Sequence, residues 1–149
     1  MNLFLDSNAL IKLYHEENGT ETLKNFLEMN ADELTITISD LTRIEFYSAF
    51  LRRVRTCEIE LSVVHGIFND FEGDMKAFHI VEVESAVKML AVHLLTFYSH
   101  ERSLRTLDAL QLSTAILSRQ YVAIDYFVSS DTKLIYIAKD FFTILDVER

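Results

Sequence analysis

Short apolar runs that end at polar or acidic residues alternate along this chain with longer stretches of helical periodicity. That alternation restricts the fold more than any other feature. Leu3-Phe4-Leu5 stops at Asp6, Leu34-Thr35-Ile36-Thr37-Ile38 is alternating and β-branched, and Phe127-Val128-Ser129 comes just before Asp131. Strands separated by helix-length segments are joined by crossovers, which gives a mainly parallel sheet flanked by helices. Further strands are expected at roughly residues 79–82 and 143–146, so four or five in all.

Helices are expected between them. Ser7 or Asn8 is placed to cap a turn running to Tyr14, and Thr20 to cap a helix over roughly 21–30. Leu41, Ile44, Tyr47, Leu51 and Val54 recur at helical spacing after Ser39-Asp40. Other helices are expected at roughly 59–74, 84–98, 105–120 and 132–139. The absence of proline and the presence of only three glycines suit long helices and short turns. With 149 residues, half of them hydrophobic, the chain is expected to form a single domain over 1–149 with a sizeable core.

Composition narrows the function as well. One cysteine, Cys57, excludes an intrachain disulfide and a multi-cysteine metal site. No apolar run approaches the roughly 18 residues that span a bilayer, and the N-terminus lacks a basic region ahead of its apolar stretch. The expectation is a soluble, cytoplasmic protein. A net charge of −9 counts against extended nucleic-acid contact, but not against chemistry at one phosphodiester.

Four acids stand where solubilising acids do not belong. Asp6 and Asp131 follow strands, at the rim where open α/β sheets bind ligands. Glu45 lies among Leu41, Ser48 and Ala49 on its helix, and Asp108 among Leu104, Leu112 and Ala115 on another. Each has an ordinary alternative. Asp6, Asp108 and Asp131 fit as helix caps, and Glu45 as the partner of Arg43 or Arg52. Gathered in one cleft, however, carboxylates repel one another unless a cation balances them, and hard ions such as magnesium are held by such oxygens.

Four segments carry a family resemblance. They are Leu3-Phe4-Leu5-Asp6-Ser7-Asn8-Ala9-Leu10-Ile11, Arg43-Ile44-Glu45-Phe46-Tyr47-Ser48-Ala49, Leu104-Arg105-Thr106-Leu107-Asp108-Ala109-Leu110-Gln111-Leu112 and Phe127-Val128-Ser129-Ser130-Asp131. In order and spacing they resemble the motifs of PIN-domain ribonucleases, and most nearly those of the VapC-type toxins of prokaryotic toxin–antitoxin pairs. The resemblance implies a three-layer α/β/α fold with a four- to five-stranded sheet. It also implies RNA cleavage dependent on Mg2+ or Mn2+, with a water attacking in line. Asp6 and Asp108 match the principal metal ligands, Glu45 and Asp131 the acids that complete the site. Asn8 and Ser129 match supporting polar positions. Gln111 departs from the pattern, since many VapC-type members carry histidine there; glutamine hydrogen-bonds but does not titrate near neutrality.

For RNA contact the basic candidates are the cluster Arg52, Arg53 and Arg55, the pair Arg102 and Arg105, and Lys12. The alternative for each is a solvated surface charge. His93 and His100, seven apart, offer a shared helix face but no metal-ligand spacing. The resemblance implies a cognate antitoxin and commonly a homodimer, and an acidic, Phe/Leu-rich protein suits a basic amphipathic partner. Two other classes stay open. One is a PIN-like RNA- or protein-binding module without activity, which four intact acids argue against. The other is a phosphatase or receiver domain using Asp6; the first usually has a second aspartate where this chain has Asn8, and the arrangement of the second is not evident.

Overall fold

The computed structural model describes residues 1–98, 100 and 103–148. Its elements run β1 (Asn2–Leu5), α1 (Ser7–Ile11), α2 (Thr20–Met29), β2 (Thr35–Ser39), α3 (Leu41–Arg55), α4 (Leu61–Asp74), β3 (His79–Val81), α5 (Ser85–Tyr98), α6 (Thr106–Ser118), β4 (Tyr126–Ser129), α7 (Thr132–Ala138) and β5 (Ile144–Asp146). The strands form one five-stranded sheet in the order β3-β2-β1-β4-β5, and all its pairings are parallel. The architecture is a three-layer α/β/α sandwich.

Period-two alternation sorts each strand between two cores. Leu3 and Leu5 of β1, with Val128 of β4, join Leu23, Phe46, Phe50, Val64 and Phe71 from α2, α3 and α4. Phe4 and Phe127 point the other way, into a core with Leu94, Leu112, Leu134 and Ile137 from α5, α6 and α7. Because β1 and β4 are buried on both faces, their sequences read as continuous apolar runs. Stacked rings lock α3 to α4: the Phe46 and Phe71 centroids are 4.0 Å apart, and those of Tyr47 and Phe68 are 3.9 Å apart.

Three local expectations are corrected. α1 is capped by Asp6, whose side chain accepts the Ala9 N–H, rather than by Ser7 or Asn8. Gly19, not Thr20, is the cap residue of α2, while the Thr20 hydroxyl accepts the Glu17 N–H at 2.9 Å. His100 lies beyond the end of α5 and shares no helix with His93. Among the described residues, no helix is long and apolar enough to cross a membrane.

Candidate active site

β1 and β4 are neighbours, but from this pair the chain order steps toward β2 and β3 on one side and β5 on the other. Such a switch point opens a crevice beyond the carboxyl ends of the two strands. Asp6 follows β1 directly, and Asp131 lies two residues past β4.

Asp6 is only 2% exposed. Its Oδ1 accepts the Ala9 N–H at 2.7 Å, and its Oδ2 accepts the Ser129 hydroxyl at 2.5 Å. Burial pushes the Asp6 carboxyl up to about 7; the two hydrogen bonds oppose the rise, and the charges of Asp108 and Glu45 add to it. The Ser129 hydroxyl in turn accepts the Asp131 N–H at 3.1 Å. Asp131 uses Oδ1 to cap α7, accepting from the N–H groups of Lys133 and Leu134 at 2.8 and 3.1 Å. Asp6 and Asp131 thus both cap helices through Oδ1, while their Oδ2 atoms meet Ser129 and Arg105.

Glu45 sits half-buried on α3 and is held by neutral donors. Its Oε1 accepts the Ser7 hydroxyl at 2.9 Å and the Gln111 amide at 2.7 Å. Arg43, one of the arginines offered as an alternative partner, instead bonds Glu72 Oε1 through Nε at 2.8 Å. Gln111 Nε2 also lies 2.9 Å from Ser7 Oγ and 3.1 Å from Thr42 Oγ1, making Gln111 the hub of this half of the site. Its Oε1 is buried and has no hydrogen-bond partner among the described residues.

Asp108, in the first turn of α6, meets Arg105 three residues earlier. Arg105 Nε lies 2.8 Å from Asp108 Oδ2, and its Nη2 lies 2.8 Å from Asp131 Oδ2. The guanidinium thus bridges two of the four acids, and it holds its proton more tightly than usual, chiefly through the hydrogen bond to Asp108, with the Asp131 and Glu45 charges adding to it. Beside it opens a cleft of about 470 Å³ between α1, α3 and α6, lined by Asn8, Glu45 and Asp108 among polar residues, Ile44 and Leu107 among apolar ones, and Arg52 and Arg105.

The other expected contacts divide. Arg52 reaches the cleft from the last turn of α3, whereas Arg53 pairs with Glu17 and lies near Glu58. Lys12, for which the sequence allows a phosphate contact or a solvated surface charge, is buried. Its side chain is only 4% exposed, and its ammonium donates to the Asn18 carbonyl at 2.6 Å and to Glu148 at 3.0 Å, with Glu17 at 3.6 Å. Nearness to Asp6 in sequence does not bring the Lys12 ammonium to the cleft, because its side chain reaches Glu148 instead. Arg102 lies outside the described residues. Ser7 and Thr42 were missed; Thr42 precedes Glu45 by three positions on α3, a spacing that shares one helix face.

The donor set is all oxygen, as a hard divalent ion requires. A carboxyl as buried as Asp6, with raised proton affinity, also fits a site completed by a cation. As the side chains stand, with Arg105 between Asp108 and Asp131, no group of three or more Asp, Glu, His or Cys side chains among the described residues is gathered to hold an ion.

The PIN domain family model matches residues 3–140. The chain belongs to the PIN domain family. No curated protein is matched by the sequence. Among solved structures, the fold is similar to VapBC2 from Rickettsia felis bound to a promoter DNA fragment, at 16% identity and TM-score 0.69, covering 98% of each chain. It is similar to FitAcB from Neisseria gonorrhoeae, at 14% identity and TM-score 0.65 over 97% of each chain. It is also similar to VapC20 from Mycobacterium tuberculosis, a toxin that cleaves the sarcin-ricin loop, at 15% identity and TM-score 0.63 over 91% of this chain and 94% of that one.

Proposed function

We propose that this protein is an endoribonuclease dependent on Mg2+ or Mn2+ and the toxin of a toxin–antitoxin pair. The observation that supports the reading is the buried Asp6 carboxyl at a sheet switch point, near enough to Asp108 and Glu45 for their charges to help push it up to about 7. Asp6 and Asp108 would hold the ion, with Glu45 and Asp131 completing the acidic site. Such an ion, when bound, offsets charge on the phosphate and makes a water acidic enough to act as nucleophile.

The chain's own residues supply the rest. Ser129 and the Ala9 N–H fix the Asp6 carboxylate, while Ser7 and Gln111 fix Glu45. Asn8 lines the cleft as a supporting polar group, and Arg52 is placed to meet RNA phosphate there. The same cleft has an apolar wall, where Ile44 is 68% exposed. A basic, amphipathic antitoxin segment laid over that wall would cover the acids, and charge complementarity with a protein of net charge −9 favours it. Homodimerisation belongs to the same proposal.

The test is cleavage of a mixed RNA pool, with structured ribosomal loops included because VapC20 cuts one. Cleavage by wild type that requires Mg2+ or Mn2+, stops with EDTA and is lost in Asp6→Asn is expected. No cleavage together with no Mg2+ or Mn2+ binding by calorimetry would replace this reading with that of a catalytically inactive binding module.

A further inference from the structure

Arg105 grips two of the acids rather than leaving its charge free. One guanidinium joins Asp108 and Asp131 with two contacts of 2.8 Å. Its side chain is 64% exposed, while those of Asp108 and Asp131 are 15% and 18% exposed. The arginine is therefore the solvent-accessible partner, laid over acids that are largely buried. Asp131 is fixed by the α7 cap and Asp108 by its position on α6. Exposed ion pairs are individually weak and give way to a stronger competitor. A divalent ion is such a competitor, and it needs the same oxygens.

We propose that Arg105 is a displaceable counter-cation: it closes the Asp108–Asp131 pair in the metal-free protein and is released when an ion takes those acids. This rests on the metal-dependent reading of the site and adds a coupling that reading does not require. Metal occupancy and a free guanidinium arrive together, so the site presents Arg105 to an RNA phosphate only once it is loaded. By linkage, whatever removes Arg105 from the acids tightens the ion, and the ion in turn tightens any anion that Arg105 binds.

The experiment is calorimetric titration of Mn2+ alone into wild type, Arg105→Ala, Arg105→Lys and Arg52→Ala, each checked for folding by circular dichroism. Arg52 lines the same cleft and, among the described residues, makes no ion pair with the four acids, so its removal controls for simple loss of a positive charge. Arg105→Ala is expected to bind Mn2+ about three- to tenfold more tightly than wild type. Arg105→Lys, which keeps the charge but loses the fork, should fall between, and Arg52→Ala should stay near wild type. In a second readout, anisotropy of a labelled RNA oligonucleotide, with Ca2+ as the ion to limit cleavage, the ion should raise affinity more in wild type than in Arg105→Ala. Equal Mn2+ affinity in wild type and Arg105→Ala, weaker binding in Arg105→Ala, or an equal gain in Arg52→Ala would overturn the counter-cation role and leave the nuclease reading standing. Mn2+ binding to none of the four proteins would overturn both.

Discussion

Ser129 donates its hydroxyl proton to Asp6 across 2.5 Å, tying the carboxyl end of β4 to that of β1. The same oxygen accepts the Asp131 N–H, so one buried hydroxyl sets the positions of two of the four acids. Ser129→Ala should therefore do more than remove a small side chain. It leaves a buried carboxylate short of a donor, at a cost of about 1–3 kcal/mol when that carboxylate is ionised. Urea unfolding at neutral pH should show the loss, and cleavage should fall with it. Ser129→Thr keeps the hydroxyl and should recover more of both than Ser129→Ala retains.

Asp6 makes metal-free stability pH-dependent. Its folded pKa, about 7, lies above the unfolded aspartate value of about 3.9. Between the two the folded state binds more protons than the unfolded state, so stability falls as pH rises through that window. Asparagine resembles the protonated acid. In EDTA, Asp6→Asn is expected to match wild type near about pH 4 and exceed it by about 2–4 kcal/mol near about pH 8. Thermal melts across that range measure the gap, and a gap independent of pH would mean that ionised Asp6 is not disfavoured.

The order of the elements and the placing of Asp6 and Asp131 just past strands were legible in the sequence because they depend on local pattern: short apolar runs, helical spacing and acids at fixed offsets from both. Partners set by tertiary approach were not. Lys12 meets Glu148 at a separation of 136 residues, and no local pattern marks that pair. Arg52, Arg53 and Arg55 look equivalent in sequence, yet helix geometry turns Arg52 to the cleft and Arg53 to Glu17. Asp6 and Asp131 allow a reading as caps from their place after strands, and the structure shows both capping through Oδ1.

Gln111 is where the sequence departs from the common VapC-type pattern, and the structure makes it a neutral clamp on Glu45. Gln111→Ala should cost about 2–3 kcal/mol, from a cavity and from lost hydrogen bonds. Because Gln111 is buried, its loss should lower kcat more than it raises KM for RNA. Gln111→Glu is a sharper probe. It sets a second carboxyl against Glu45 at 2.7 Å, a pair that cannot both ionise cheaply. Its stability should fall relative to Gln111→Ala as pH rises above about 5, by unfolding measured at several pH values.

Two positive-φ positions predict opposite effects of exchanging glycine. Cys57 has φ 58 just past the end of α3, where its N–H donates to the Val54 carbonyl at 3.0 Å. A left-handed residue there closes the helix, and a side chain makes that conformation less favourable than glycine does. Cys57 is exposed, so little packing is lost, and Cys57→Gly should stabilise by about 0.5–1 kcal/mol. Gly19 has φ 87, and a Cβ there would stand 2.6 Å from the Val147 carbonyl oxygen. That backbone cannot give way freely, because Glu148 next to it is held by Lys12. Gly19→Ala should therefore destabilise by more than about 1 kcal/mol, and urea midpoints of the two variants should move in opposite directions from wild type.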